Sequence, residues 1–427
     1  MSALLNPLRR SFAIYRGLPR AAYVLFVAQV VNSLGHFVLP FLTLILTVRG
    51  GLDAAEAGRI VTIATMSFVP GSILGGRIAD TFGRKRVVVV GFAIGIASFV
   101  IWRFIGNVAV LPWFVFVAEF SSGLIHPTIR ALTADLTTPE NRKAAYSLTY
   151  LGHNIGFSVG PLLAGLLFQR DLRVLFWGDA ATSIVAMVLI VLLIRETRPD
   201  HREIERVGRE QPTEAAERGG VLSVLWRRPV VLAFMLTNIL MTLVYAQYTF
   251  ALPLQMNAVL GDTGPVIYGL VMTINALIVV FCTAPIVVAT KQLRPVLCLA
   301  LAALLYLVGM GSVYFVASAA MFVVTAVVWT AGEILSATNV DVYVANHTPV
   351  GHRGRMSAIV PIVTGAGFAL GPIAVGAFIE RFSVRQVWPL TAVLSAAAAV
   401  IFVLLATIDR ARNQPHDSGL GVRKAEM

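Results

Sequence analysis

Twelve apolar stretches, each close to the length that crosses a bilayer, divide this chain of 427 residues. They lie at about 21–48, 57–79, 87–106, 110–134, 143–169, 173–194, 229–257, 264–290, 295–315, 318–345, 354–380 and 385–408. A helix needs about 20 apolar residues to span the hydrocarbon layer. The expected fold is therefore an all-α integral membrane protein with twelve transmembrane helices, called segments 1 to 12 below. A composition of 57% hydrophobic and 13% charged residues excludes an ordinary soluble domain.

The chain also repeats itself. Gly160-Pro161-Leu-Leu-Ala-Gly165 returns about 210 residues later as Gly371-Pro372-Ile-Ala-Val-Gly376. The same offset sets Gly58 against Gly269, Thr62 against Thr273 and Pro139 against Pro349. A repeat of that length in an apolar chain predicts two six-helix bundles related by a pseudo-two-fold axis. The bundles are expected at 1–194 and 229–408, joined by a polar cytoplasmic linker at 195–228 and followed by a tail at 409–427. Two such bundles can rock about a shared interface, which points to the movement of solutes.

The net charge of +12 invites a nucleic-acid reading, but the position of the charges decides against it. With an even number of crossings, 27 of the 34 Lys and Arg fall on the side of the termini. That asymmetry follows the positive-inside rule and puts both termini in the cytoplasm. Topology explains the charge, so no nucleic-acid partner is expected. The basic start resembles a signal peptide, but its apolar run is long and is read as a retained first crossing. Cys282 and Cys298 offer no metal or disulfide pattern. Gly75-Gly76 precedes no phosphate-binding lysine, so neither nucleotide nor other cofactor is expected. A monomer is the expected state.

Between segments 2 and 3 the chain reads Gly75-Gly76-Arg-Ile-Ala-Asp80-Thr-Phe-Gly83-Arg84-Lys85-Arg86. Turn-forming glycines and inside-positive charge explain most of this stretch, but neither requires Asp80 beside three cations. Segment 5 carries Gly152, Gly156, Gly160 and Pro161, then Gly165. Small residues four apart smooth one helix face, and proline permits a bend. Both stretches resemble signatures of the major facilitator superfamily. The first is similar to its cytoplasmic loop motif, with Ile78 and Thr81 as departures, and the second to its antiporter motif, with a departure at Ala164. The resemblance implies a conformational latch at Gly76, Asp80, Gly83, Arg84 and Arg86. Physically, Asp80 can pair with Arg84 or face the start of segment 11 near Arg353 to Ser357, and Asp135 is a second candidate partner for the basic cluster. It also implies export coupled to protons, with Gly156, Gly160, Pro161 and Gly165 as the antiporter motif. The second bundle lacks a counterpart of the latch at Ala289–Arg294.

Two carboxylates lie inside apolar runs, Glu119 in segment 4 and Glu333 in segment 10. A charge in hydrocarbon is costly, so such a group faces a cavity or takes up a proton. With His36, they are the expected proton-coupling residues; hydrogen bonding between helices is the structural alternative. Glu119 stands where the resembling drug exporters often place an arginine, so that arginine's role does not carry over. Gln29, Asn32 and His36 form a polar stripe on segment 1, while His126 and His153 read as structural. Tyr245, Gln247, Tyr248 and Phe250 in segment 7 are an expected cavity wall. Gln29, Asn32 and these four are the expected substrate contacts.

The expected function is proton-driven export of amphipathic, neutral or cationic small molecules. The alternatives are a lipid, siderophore or nutrient carrier of the same fold, and a non-transporting sensor. An intramembrane enzyme would need a nucleophile or metal cluster that the His and Cys spacing does not offer. The expected location is the inner membrane of a prokaryote, with substrate, protons and lipid as partners.

Overall fold

The computed structural model describes residues 15–197, 229–347 and 353–413, with side chains at 353–364 outside the description, and these residues are helical nearly throughout. In chain order the helices are α1 Arg20–Leu34, α2 Val38–Leu44, α3 Ala54–Met66, α4 Phe68–Phe82, α5 Arg84–Ile105, α6 Leu111–Asp135, α7 Pro139–Phe157 and α8 Gly160–Phe168. They continue as α9 Leu172–Leu193, α10 Pro229–Tyr245, α11 Ala251–Leu260, α12 Gly264–Thr290, α13 Pro295–Gly311, α14 Ala319–His347, α15 Arg353–Arg381 and α16 Val387–Asn413.

Prolines explain why several apolar segments comprise two helices. A proline lacks an amide hydrogen and crowds the carbonyl four residues back. Pro40 stands just past the break between α1 and α2, Pro70 past that between α3 and α4, Pro161 past that between α7 and α8, and Pro253 past that between α10 and α11. At the second break Ser67 donates its hydroxyl to the Ala64 carbonyl at 2.6 Å and to the Phe116 carbonyl at 2.9 Å.

Among the described residues, nine helical stretches are long and apolar enough to cross a membrane. One of them, Val230–Thr290, has 61 residues, far more than the ~20 of a single crossing. It turns at Gly261, where φ is 57°. Leu111–Asp135 is absent from the nine and carries Glu119, His126 and Arg130. Large apolar side chains such as Phe104, Phe281, Val308, Val393 and Val400 stand exposed along the helices, as a lipid-facing surface requires.

The core runs through both halves of the chain. Phe41 of α2 packs edge-on against Tyr268 of α12 with ring centres 5.2 Å apart, and Phe168 of α8 lies against the same Phe41. Two seams join the halves: α3 packs on α15, and α8 packs on α12. Here the repeated residues meet. A Cβ at Gly58 would overlap the Pro372 carbonyl, and one at Gly269 would overlap the Pro161 carbonyl. In the same way Gly376 faces the Ala54 carbonyl, and Gly165 faces that of Pro265. One polar bond is not repeated. Thr62 accepts the Ile373 amide at 3.1 Å, whereas the hydroxyl of Thr273, its partner in the repeat, is buried without a hydrogen bond.

Candidate functional site

The antiporter-like stretch acts by close approach. Cβ atoms at Gly152, Gly156 and Gly160 would overlap Phe26, Val30 and Leu34 respectively, so α7 and the start of α8 lie directly on α1. This contact brings His153 of α7 to the polar stripe of α1. The Ser33 hydroxyl is 2.9 Å from His153 Nδ1 and accepts a bond of 2.9 Å from Gln29 Nε2. The His36 and His153 ring centres are 6.0 Å apart.

Two adjoining cavities open beside that stripe. The wider, about 710 Å³, is lined by Gln29, Asn32, His126, Arg130, Tyr150 and His153 among others. The narrower, about 60 Å³, holds His36, Glu119, His126 and Asp179, with Ser122 and Ser183. Asn32, Phe92, Ile125 and His126 border both, so the two are neighbours in one half of the molecule. The described lining of the wider cavity includes Arg130 and no Asp or Glu. The carboxylates Glu119 and Asp179 line the narrower cavity instead. Asp179 was not among the expected site residues, although it meets the test that singled out Glu119 and Glu333, an acid within an apolar run.

In the second half Glu333 accepts a 2.6 Å bond from Asn275 Nδ2, and the same nitrogen lies 3.0 Å from the Thr330 hydroxyl. Aromatic rings crowd the region. Tyr245 lies 4.6 Å from Tyr248 and 6.0 Å from Tyr306 between ring centres, and Tyr248 lies 5.9 Å from Trp329 and 6.3 Å from Phe368. Two expected wall residues are placed differently. Gln247 and Phe250 have no exposed surface; Gln247 donates to the Leu243 carbonyl at 2.8 Å, and the Phe250 ring packs beside Gly58. The break after Tyr245 turns both inward.

At the loop between α4 and α5, Arg84 is the hub. Its Nη1 donates to Asp135 Oδ1 at 2.9 Å, while Asp80 stands 3.6 Å away with 63% of its side chain exposed. Asp135 also accepts the Thr197 hydroxyl at 2.8 Å, and the Arg84 amide bonds the Thr197 carbonyl at 3.1 Å. Glu196 closes the other side, accepting the amides of Lys85 and Arg86 at 2.9 and 3.1 Å. A carboxylate suits these free amides at a helix start. Arg86 itself is exposed, 3.9 Å from Glu196. Gly83 has φ 102° and no room for a Cβ beside the Glu196 carboxylate, so glycine is required there. Gly75 lies tight on Leu124, whereas Gly76 faces open space. The side chains of Arg353 to Ser357, the other expected partner of Asp80, lie outside the described residues. So does the 195–228 segment beyond Thr197.

The model of the Major Facilitator Superfamily matches residues 25–349 and 262–424. The chain belongs to that superfamily. It is similar to the uncharacterized MFS-type transporter YqjV of Bacillus subtilis (strain 168), 26% identical over 84% of this chain and 85% of the relative. It is also similar to multidrug resistance protein 1 of the same organism, 28% identical over 36% of this chain and 40% of the relative. In fold it resembles a POT family transporter solved in complex with 5-aminolevulinic acid, with a TM-score of 0.77, 14% identity and coverage of 93% of this chain and 98% of that one.

Proposed function

We propose that the protein exports amphipathic small molecules in exchange for protons, by alternating access between two six-helix bundles of a twelve-crossing fold. The observation that carries this reading is Glu119, a carboxylate enclosed with His36 and Asn32 in a chamber bordering the wide cavity. A buried acid there gains and loses charge as the chamber meets one side of the membrane and then the other, and cargo biases the same equilibrium. The Glu333 region, ringed by Tyr245, Tyr248 and Trp329, is suited to a neutral or cationic aromatic cargo. The similarity to multidrug resistance protein 1 supports a drug-like cargo. The bundles are assigned to 1–194 and 229–408, with both termini cytoplasmic and the chain working as a monomer in an inner membrane.

Purified protein in liposomes tests this reading. Cationic dyes should evoke proton movement in the wild type, and Glu119→Gln should abolish it while retaining dye binding. Equal flux in the two proteins removes Glu119 from coupling. Absence of flux with every dye removes drug export and leaves lipid cargo or sensing.

A further inference from the structure

The first apolar segment is broken, and a carboxylate from another helix holds the break. α1 ends at Leu34 and α2 begins at Val38. Within the break the Gly35, His36 and Phe37 amides bond the carbonyls of Asn32, Ser33 and Gly35 at 3.2, 3.2 and 2.7 Å. The Val38 amide, first of the second helix, has no carbonyl of the preceding turn to bond. Asp179 Oδ2 of α9 accepts it at 3.3 Å, and Asp179 is only 7% exposed. The surroundings are fitted to this contact. A Cβ at Gly178 would overlap the Phe37 ring, and one at Gly35 would overlap the Thr182 hydroxyl. Ser183 donates to Asn32 Oδ1 at 3.4 Å.

We infer that Asp179 is a positioning residue that passes the protonation state of the inner chamber to the first segment, holding the break against α9 when ionised and releasing it when protonated. The inference rests on the proton-coupled reading above. The other titratable groups around the chamber are His36 from the break and Glu119 and His126 from α6, and His153 of α7 stands beyond His36; α5 contributes Phe92, Gly95 and Phe99, and no Lys or Arg lines the chamber among the described residues. An ionised carboxylate accepts an amide hydrogen more strongly than a neutral acid does. Two carboxylates sharing an enclosed chamber resist carrying two negative charges together. A proton entering from the cavity therefore settles on the Glu119 and Asp179 pair, and when it binds Asp179 the Val38 amide loses its strong acceptor. On departure the proton returns to the chamber and the contact reforms.

Hydrogen–deuterium exchange of the full chain in detergent, read over residues 35–39 against α6 at each pH, tests this. In the wild type, protection of the break should fall several-fold from mildly alkaline to mildly acidic buffer. Asp179→Asn is neutral at every pH, like the protonated acid, so its protection should be independent of pH and stay near the wild-type level in acidic buffer, and Asp179→Leu should be no better protected. An Asp179→Asn protein that follows the wild-type pH dependence overturns the inference, as does loss of that dependence in Glu119→Gln alone. The expected exchange pattern in a protein that moves no protons in liposomes would refute antiport and leave the positioning role standing. Proton flux with exchange independent of pH would do the reverse.

Discussion

Glu119 and Glu333 are the same side chain in different company. Glu119 shares a narrow chamber with another acid and two histidines, whereas Glu333 is fixed by Asn275 in a region of tyrosines and Trp329. Rings and a carboxylate together suit an organic cation. Glu333→Gln should keep the Asn275 bond but weaken tetraphenylphosphonium binding about tenfold, near 1.4 kcal/mol, as read by titration calorimetry. Tyr245→Phe, which keeps the ring, should bind nearly as wild type. Equal affinity for wild type and Glu333→Gln would place the cation elsewhere. At this scale the sequence was only partly informative. It marks which residues are polar within apolar runs, but not which way each turns once a helix breaks. Tyr245 and Gln247 are two positions apart, yet the first joins the aromatic group and the second is sealed away.

The helices were legible because length and hydropathy act locally, and so was the bend at the Gly-Pro of segment 5, but the break inside the run at 57–79 was not anticipated. The apolar run at 57–79 becomes α3 and α4, and the Gly-Pro of segment 5 starts α8. The partners of the loop between α4 and α5 were less legible, because they are set by tertiary contact. Glu196 and Thr197 read as the start of a solvated linker, yet they bond residues more than 60 positions away. Arg84 meets both Asp80 and Asp135, the two acids expected near it, and the more buried Asp135 holds it more closely. Arg84→Ala should therefore cost about 1–3 kcal/mol by leaving Asp135 short of its cation. Asp80→Asn, at an exposed pair, should cost at most about 1 kcal/mol. Thermal unfolding in detergent compares the two, and a larger loss for Asp80→Asn would reverse the assignment of the hub.

The two seams between the halves are sealed by glycine against carbonyl. Gly58→Ala or Gly269→Ala places a methyl group where the Pro372 or Pro161 carbonyl now lies, so either should push the seam open and move the population toward another arrangement. Electron-resonance distances between labels on α3 and α15, in a chain freed of Cys282 and Cys298, should lengthen in Gly58→Ala. Gly76→Ala meets open space and should leave them unchanged, with helix stability raised by up to about 1 kcal/mol. Unaltered distances in Gly58→Ala would show that the seam yields locally. The seam also bears on ancestry. Gly58 meets the proline of the other repeat, and its duplicate Gly269 meets the proline of the first. A symmetric homodimer contacts itself in this way, each surface serving twice. A half-length forebear with a single glycine and a single Gly-Pro would have made both closures, so each substitution on it would have been felt twice. Within one chain each seam is free to differ, as Thr62, which accepts the Ile373 amide, and Thr273, whose hydroxyl has no partner among the described residues, do.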